Sequence, residues 1–156
     1  MLNRILPRTA DNSYDGHGLA IWCMAPIVVI KAIVGLTSMF GGSLVAQGAH
    51  QVPMAAFSAE AMQLFLLLLA RSALATLVLT LFCVLVLIRY RAMIPLTYVL
   101  LLLQHAGNVI LLFKESVITG TSSATVVNVA LLLLTAVGLV SSLHGRPDPK
   151  STSRPA

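Results

Sequence analysis

The chain carries little charge. Of its 156 residues, 10 are Lys or Arg and 5 are Asp or Glu, so charged residues make up 10% of the sequence. Soluble domains usually carry about 25% charged residues, and the scarcity argues against a soluble globular domain. The net charge of +5 resides in basic residues that flank hydrophobic segments. It is therefore interpreted as a topology signal, and no nucleic-acid partner is expected.

Cysteines and catalytic motifs are also scarce. Cys23 and Cys83 are the 2 cysteines, and both fall inside hydrophobic segments. A structural disulfide is not expected there, because such bridges form mainly in oxidising aqueous compartments. The sequence contains no CxxC pair, no Cys/His cluster with zinc spacing, and no P-loop, GxGxxG, HExxH or GxSxG motif. These absences argue against the common nucleotide-dependent and hydrolytic enzymes.

Hydrophobic residues dominate what remains, at 58% of the chain with a mean hydropathy of +0.93. Their runs are long enough to cross about 30 Å of hydrocarbon at about 1.5 Å per residue, and too long for the alternation of a membrane β-barrel. The sequence predicts an all-α integral membrane domain at 19–143, between an N-terminal tail at 1–18 and a polar C-terminal tail at 144–156. The four spans are expected at about 19–44, 61–87, 94–112 and 124–143.

Basic residues predict the orientation of these spans, because cytoplasmic loops carry an excess of Lys and Arg. On the opposite side of the membrane lies Lys114. Short turns favour antiparallel neighbours, so the expected architecture is an up-down-up-down four-helix bundle with both termini cytoplasmic. The basic residues on the cytoplasmic side are Arg4, Arg8, Arg89, Arg91, Arg146, Lys150 and Arg154.

Polar side chains inside the spans mark the candidate site. Ser and Thr are expected to serve helix packing, whereas Lys31 and Arg71 each cost roughly 2.5–3.5 kcal/mol at a helix centre. Counted along the helical rise, Lys31 and Gln104 both come out about 15 Å above the inner boundary, near the midplane. Asn108, Asn128 and Arg71 come out about 20–25 Å above that boundary, and Glu115 follows about one turn further out. These depths predict a polar column of Lys31, Gln104, Asn108, Asn128, Arg71 and Glu115.

No carboxylate is expected at the depth of Lys31. The lysine is then neutral, extends to the interface, or faces an anionic or carbonyl-bearing ligand or an acidic group of another subunit. The amides of the column are interhelical hydrogen-bonding groups by default, and form a binding site only if Lys31 has a ligand.

Histidines raise the question of a cofactor. A transmembrane bis-His haem needs two ligands at similar depth on facing helices, and His105 has no histidine partner at its level, so haem is not expected from this chain alone. His17 and His144 flank the first and fourth spans on the inner side. Together they could supply at most half of the ligands of a metal site, and no metal site is predicted. His105 lies one step off the face that carries Gln104, at an expected seam between helices.

The segments "QGAHQVPMAAFSAEAMQ" and "RYRAMIPLTYVLLLLQHAGNVI" resemble a class of small uncharacterised bacterial four-helix inner-membrane proteins. The resemblance implies the same topology and a bacterial cytoplasmic (inner) membrane, and it implies no activity. In that class the middle of the third span tends to carry an acidic residue followed by His, and a basic residue one turn later. Here those positions are Gln104, His105 and Asn108, which puts a proton relay in doubt.

Two functions are compatible with these patterns. The first is a non-catalytic accessory or scaffolding subunit of a membrane complex, whose partners are the lipid bilayer and other membrane subunits or further copies of itself. The alternative is a ligand-handling protein or enzyme that binds a quinone- or lipid-like molecule near Lys31, Gln104 and His105, with His105 as acid or base. No Asp or Glu is expected beside His105, so no catalytic triad can be assembled, and the non-catalytic function is favoured.

Overall fold

The computed structural model describes residues 12, 14, 16–48, 57–114 and 123–144. These residues form helices and no strand: α1, Leu19–Phe40; α2, Gly42–Gly48; α3, Ala59–Ile88; α4, Ile94–Lys114; and α5, Ser123–Leu143. A 3-10 turn at Arg91–Met93 joins α3 to α4. Four of the helices, α1, α3, α4 and α5, are long and apolar enough to cross a membrane. The predicted all-α fold with four such helices is confirmed.

Local signals in the sequence account for where these helices begin and end. The Ser58 Oγ accepts a hydrogen bond from the Ala61 N–H at 3.3 Å and caps α3, with Glu60 in the first turn. The hydrophobic segment predicted at 19–44 is divided at Gly41, whose N–H donates to the Thr37 carbonyl at 2.8 Å. The helix is interrupted at the Gly41–Gly42 pair because glycine lowers helix propensity. The chain then resumes as α2.

Packing between the helices is uneven. α1 packs along both α3 and α5, and α4 packs along α5. By contrast, α3 and α4 contact each other little, although the 3-10 turn joins them. Two glycines lie close to α3: Gly35 of α1 faces Leu77, and Gly42 of α2 faces Leu66. The bundle is therefore well packed on three sides and loosely packed between α3 and α4.

The apolar core lies at the end of the bundle where the 3-10 turn is found. Tyr98 is at its centre and is fully buried. Its O–H donates to the Ala20 carbonyl at 2.6 Å, and its ring lies against Gly138, where an added Cβ would overlap the ring. Tyr98 thus joins α1, α4 and α5. The buried apolar residues of this core are Ala20, Met24, Ile27, Cys83, Val86, Ile94, Tyr98, Leu101 and Leu131.

Much of each long helix remains uncovered by the rest of the chain. Within the most apolar window of each spanning-length helix, between 22% and 33% of residues are buried. Large apolar side chains lie on the surface of all four, for example Phe40 at 80% exposure and Leu103 at 71%. Exposed apolar surface of this extent requires a cover of lipid or protein, because water solvates it poorly.

Candidate functional site

Lys31 is a buried lysine in the middle of the bundle. It lies on α1 and is 4% exposed. Its Nζ donates a hydrogen bond to the Gln104 Oε1 of α4 at 2.5 Å. α1 and α4 have little backbone contact, so the long lysine side chain crosses the bundle to reach the amide. A hydrogen bond in which the donor is ionised is shorter and stronger than a neutral one. The bond between Lys31 and Gln104 links two helices that otherwise meet mainly through Tyr98.

His105 follows Gln104 and is more deeply buried, at 1% exposure. Neither of its ring nitrogens, Nδ1 or Nε2, has a hydrogen-bond partner among the described residues. Buried polar atoms are almost always hydrogen-bonded, and each one left without a partner costs about 1–3 kcal/mol. The Lys31 side chain lies near both His105 and the buried Cys83 of α3. Lys31, Gln104, His105 and Cys83 therefore form one polar cluster, which we call the central cluster.

Other buried hydroxyl groups in the bundle do not share this feature. Four buried Ser and Thr side chains donate to a backbone carbonyl three or four residues earlier in the chain, as membrane-type helices commonly allow. Thr80 donates to Thr76 at 2.7 Å, and Thr135 donates to Leu131 at 2.6 Å. Thr97 and Ser142 donate in the same way. Their expected role in packing is thus locally satisfied, and the central cluster is distinct from them.

The structure brings together three of the predicted site residues: Lys31, Gln104 and His105. Two others, Arg71 of α3 and Asn108 of α4, have exposed side chains. Asn128 of α5 is half-buried and has an interaction partner. Glu115 lies outside the described residues. Lys31, Gln104 and His105 therefore lie together, whereas the Arg71 and Asn108 side chains lie on the surface of the chain.

Among the described residues, no carboxylate lies near the central cluster. The part of the chain that the structure describes contains one, Glu60, in the first turn of α3. It lies 23 residues along the helix from Cys83, which is about 35 Å at the rise of an α-helix. The hydrogen-bond acceptor for Lys31 is consequently a neutral amide.

The donor set limits the chemistry of the cluster. Lys31 and His105 offer N–H groups that suit an oxygen acceptor. The described residues contain no group of three or more His, Cys, Asp or Glu side chains that could hold a metal ion. Cys23 and Cys83 are free. His17 and His144 are exposed, near the ends of α1 and α5, and do not share the level of His105. The N–H groups of Lys31 and His105 suit the binding of a polar oxygen group.

Comparisons with protein-family models, curated proteins and solved structures found no match.

Tyr98 is the important residue that sequence reasoning missed. A tyrosine near the start of a spanning helix carries an O–H that needs a partner when it is buried. That signal could have selected Tyr98 as a contact between helices. Its acceptor is a backbone carbonyl and its ring packs on a glycine, and no side-chain pattern identifies such partners in advance.

Proposed function

We propose that the chain is an integral membrane protein whose four long helices cross the bilayer up-down-up-down. Contacts between neighbouring helices support this topology, because they pair residues in antiparallel order. Gly35 of α1 faces Leu77 and Gly42 of α2 faces Leu66, so residue numbers that rise from α1 into α2 meet falling residue numbers in α3. α1 and α4 are aligned the same way, because Tyr98 near the start of α4 binds Ala20 near the start of α1.

Both termini are assigned to the cytoplasmic side of a bacterial inner membrane. Arg89 and Arg91, both exposed, flank the start of the 3-10 turn, and basic residues of short loops are retained on the cytoplasmic side. A phosphatase that is active only outside the cytoplasm tests this assignment. Fused after residue 144 it should be inactive, and fused after residue 48 it should be active. The reverse result would contradict the orientation.

Within that membrane we propose a non-catalytic role, as an accessory or scaffolding subunit that binds another membrane protein through α3. Arg71 carries this proposal, because its side chain is exposed on a helix that is otherwise apolar around it. α3 has 30 residues, about 45 Å against about 30 Å of hydrocarbon. With α3 centred, Arg71 lies about 10 Å inside the hydrocarbon.

A partner subunit would remove the cost of that arginine. An arginine in contact with lipid at a helix centre costs roughly 2.5–3.5 kcal/mol, and charged residues within spans usually pair with one another or with backbone carbonyls. The exposed Asn108 of α4 adds a second hydrogen-bonding group at a similar distance from the turn. A carboxylate or carbonyl group of another membrane protein at this depth would satisfy Arg71.

Native mass spectrometry of protein extracted in a mild detergent tests the subunit role. We expect masses above the 16.6 kDa of one chain, with a second protein bound. Arg71→Gln should lower the bound fraction at least tenfold, which corresponds to about 1.4 kcal/mol. Arg89→Gln removes an equal charge from the turn and should leave the complex intact. A protein that is monomeric in every mild detergent, or a complex that Arg71→Gln does not weaken, would refute the proposal.

A further inference from the structure

The central cluster has hydrogen-bonding capacity that the described chain does not use. Both ring nitrogens of His105 are buried without a partner. Lys31 has an ammonium group with three N–H donors, and its described acceptor is the Gln104 amide. Two such groups at one level of an apolar bundle leave an unfavourable free energy. A bound oxygen acceptor would lower it by accepting from Lys31 and from the ring N–H of His105.

α3 and α4 contact each other little, which leaves the interval between them as the candidate route from the bilayer to this cluster. Along α3 the polar stripe changes from exposed Ser72, through half-buried Thr76, to Thr80 at 4% exposure. Along α4, exposed Asn108 lies one turn from His105 at 1% exposure. On both helices, exposed polar groups therefore lie within a few turns of buried ones.

The surroundings of the cluster define the class of molecule. Exposed leucines on both helices, such as Leu68 and Leu103, require that the molecule reach the interval between α3 and α4 through lipid. The donors of Lys31 and His105 require an oxygen acceptor at its head, and a cation would be repelled by the Lys31 ammonium. Ligand sites commonly combine apolar walls with a few convergent polar groups in this way.

We propose that Lys31 and His105 bind the oxygen-bearing head of a lipid-soluble amphipathic molecule that enters between α3 and α4. The shared chemistry is a carbonyl or carboxylate oxygen that accepts from the Lys31 Nζ and a His105 ring N–H, with an apolar body along the interval between these helices. Gln104, which is half-buried, positions the lysine. The site is formed within one chain, so it does not depend on assembly with another subunit.

Binding of two probes to the purified protein in nanodiscs tests this site. Decylubiquinone presents a neutral diketone and oleate presents a carboxylate. Native mass spectrometry measures their occupancy, and the ¹⁵N spectrum of histidine-labelled protein reports on the His105 ring, with His105→Phe identifying its signals. At least one probe should bind and shift the His105 signals, and Lys31→Met and His105→Phe should each weaken binding at least tenfold.

Matched variants separate this site from general effects on the fold. Thr97→Val removes a buried hydroxyl of α4 whose bond to the Met93 carbonyl is satisfied within the helix, and it should leave binding unchanged. Gln104→Glu keeps the shape of the side chain and places a carboxylate beside Lys31. It should weaken oleate at least tenfold, even if Lys31→Met does not fold.

The outcomes distinguish the sources of the ligand. Binding of oleate alone, lost in Gln104→Glu, would identify a carboxylate head such as that of a fatty acid. Binding of decylubiquinone would identify a diketone head. If neither probe binds, or if both bind equally well to Lys31→Met and His105→Phe, the proposal is overturned. The central cluster would then be satisfied by internal water, which needs two to four polar partners.

Discussion

The hydrogen bond between Lys31 and Gln104 can be measured as a coupling free energy. The perturbation is a double-mutant cycle with Lys31→Met, Gln104→Leu and the pair together, in protein without added ligand. Lys31→Met removes a cation that costs roughly 2.5–3.5 kcal/mol inside hydrocarbon and loses an interhelical hydrogen bond of about 0.6–2 kcal/mol. We expect this variant to be about 1–2 kcal/mol more stable than the natural chain.

Gln104→Leu should have the opposite effect. Lys31 is 4% exposed and would lose its described acceptor, and a hydrogen bond to a charged group contributes about 1.5–3 kcal/mol. The double variant should resemble Lys31→Met alone, because a leucine at 104 removes nothing further once the lysine is absent. The difference between the sum of the single effects and the double effect is then about 2 kcal/mol.

Unfolding of the purified protein in mixed micelles, with increasing fractions of a denaturing detergent, measures these free energies. The control pair is Lys31→Met with Thr97→Val, whose effects should add within about 0.5 kcal/mol because they share no partner. A coupling between 31 and 104 below about 0.5 kcal/mol would refute the reasoning. Lys31 would then extend to an interface instead of crossing the bundle.

Three further results are expected. Gly138→Ala should destabilise the bundle by about 1–3 kcal/mol, because the new Cβ overlaps the Tyr98 ring. Its control, Gly107→Ala, has nothing within 4 Å of the added Cβ and should be neutral or slightly stabilising. Equal effects of the two substitutions would contradict the contact between Gly138 and Tyr98. Tyr98→Phe removes the O–H bond to Ala20 and should cost about 0.5–1.5 kcal/mol in the same unfolding assay, and no loss would contradict that bond. Burial raises the pKa of Tyr14, before α1, to about 12; its phenol therefore keeps its proton longer when folded, and stability should fall as pH rises from 10 to 12. This loss should be smaller in Tyr14→Phe, and identical pH profiles would contradict it.

Distances along the helix axis were the part of the site that could be predicted from sequence. The helical rise is nearly constant, so counting residues placed Lys31 and Gln104 at the same depth, and their side chains do meet. Rotation about the axis was much harder to predict. Arg71 was assigned to the polar column, yet its side chain is exposed. Helices that are apolar all round have no polar face by which neighbours can be inferred.

Which helices become neighbours depends on close packing between their surfaces, and amino-acid composition does not reveal that packing. α1 approaches α3 at Gly35, α2 approaches α3 at Gly42, and the ring of Tyr98 rests on Gly138. These contacts depend on the shape of two surfaces together, so neither helix reveals them alone. Gly41 shows a further limit. Its segment is apolar on both sides, and the interruption between α1 and α2 comes from backbone preference rather than from hydropathy.

The uneven packing of the bundle has a consequence for its biosynthesis. α3 contacts α1 extensively, so the first two spanning helices can associate as soon as both have left the ribosome. α4 is made next, but it packs mainly on α5, which is translated after it. Until α5 is made, the surface of α4 that packs on α5 is open to lipid or to an insertion factor. α5 therefore completes the packing of α4, and a nascent chain stalled before residue 123 should be a substrate for membrane quality control.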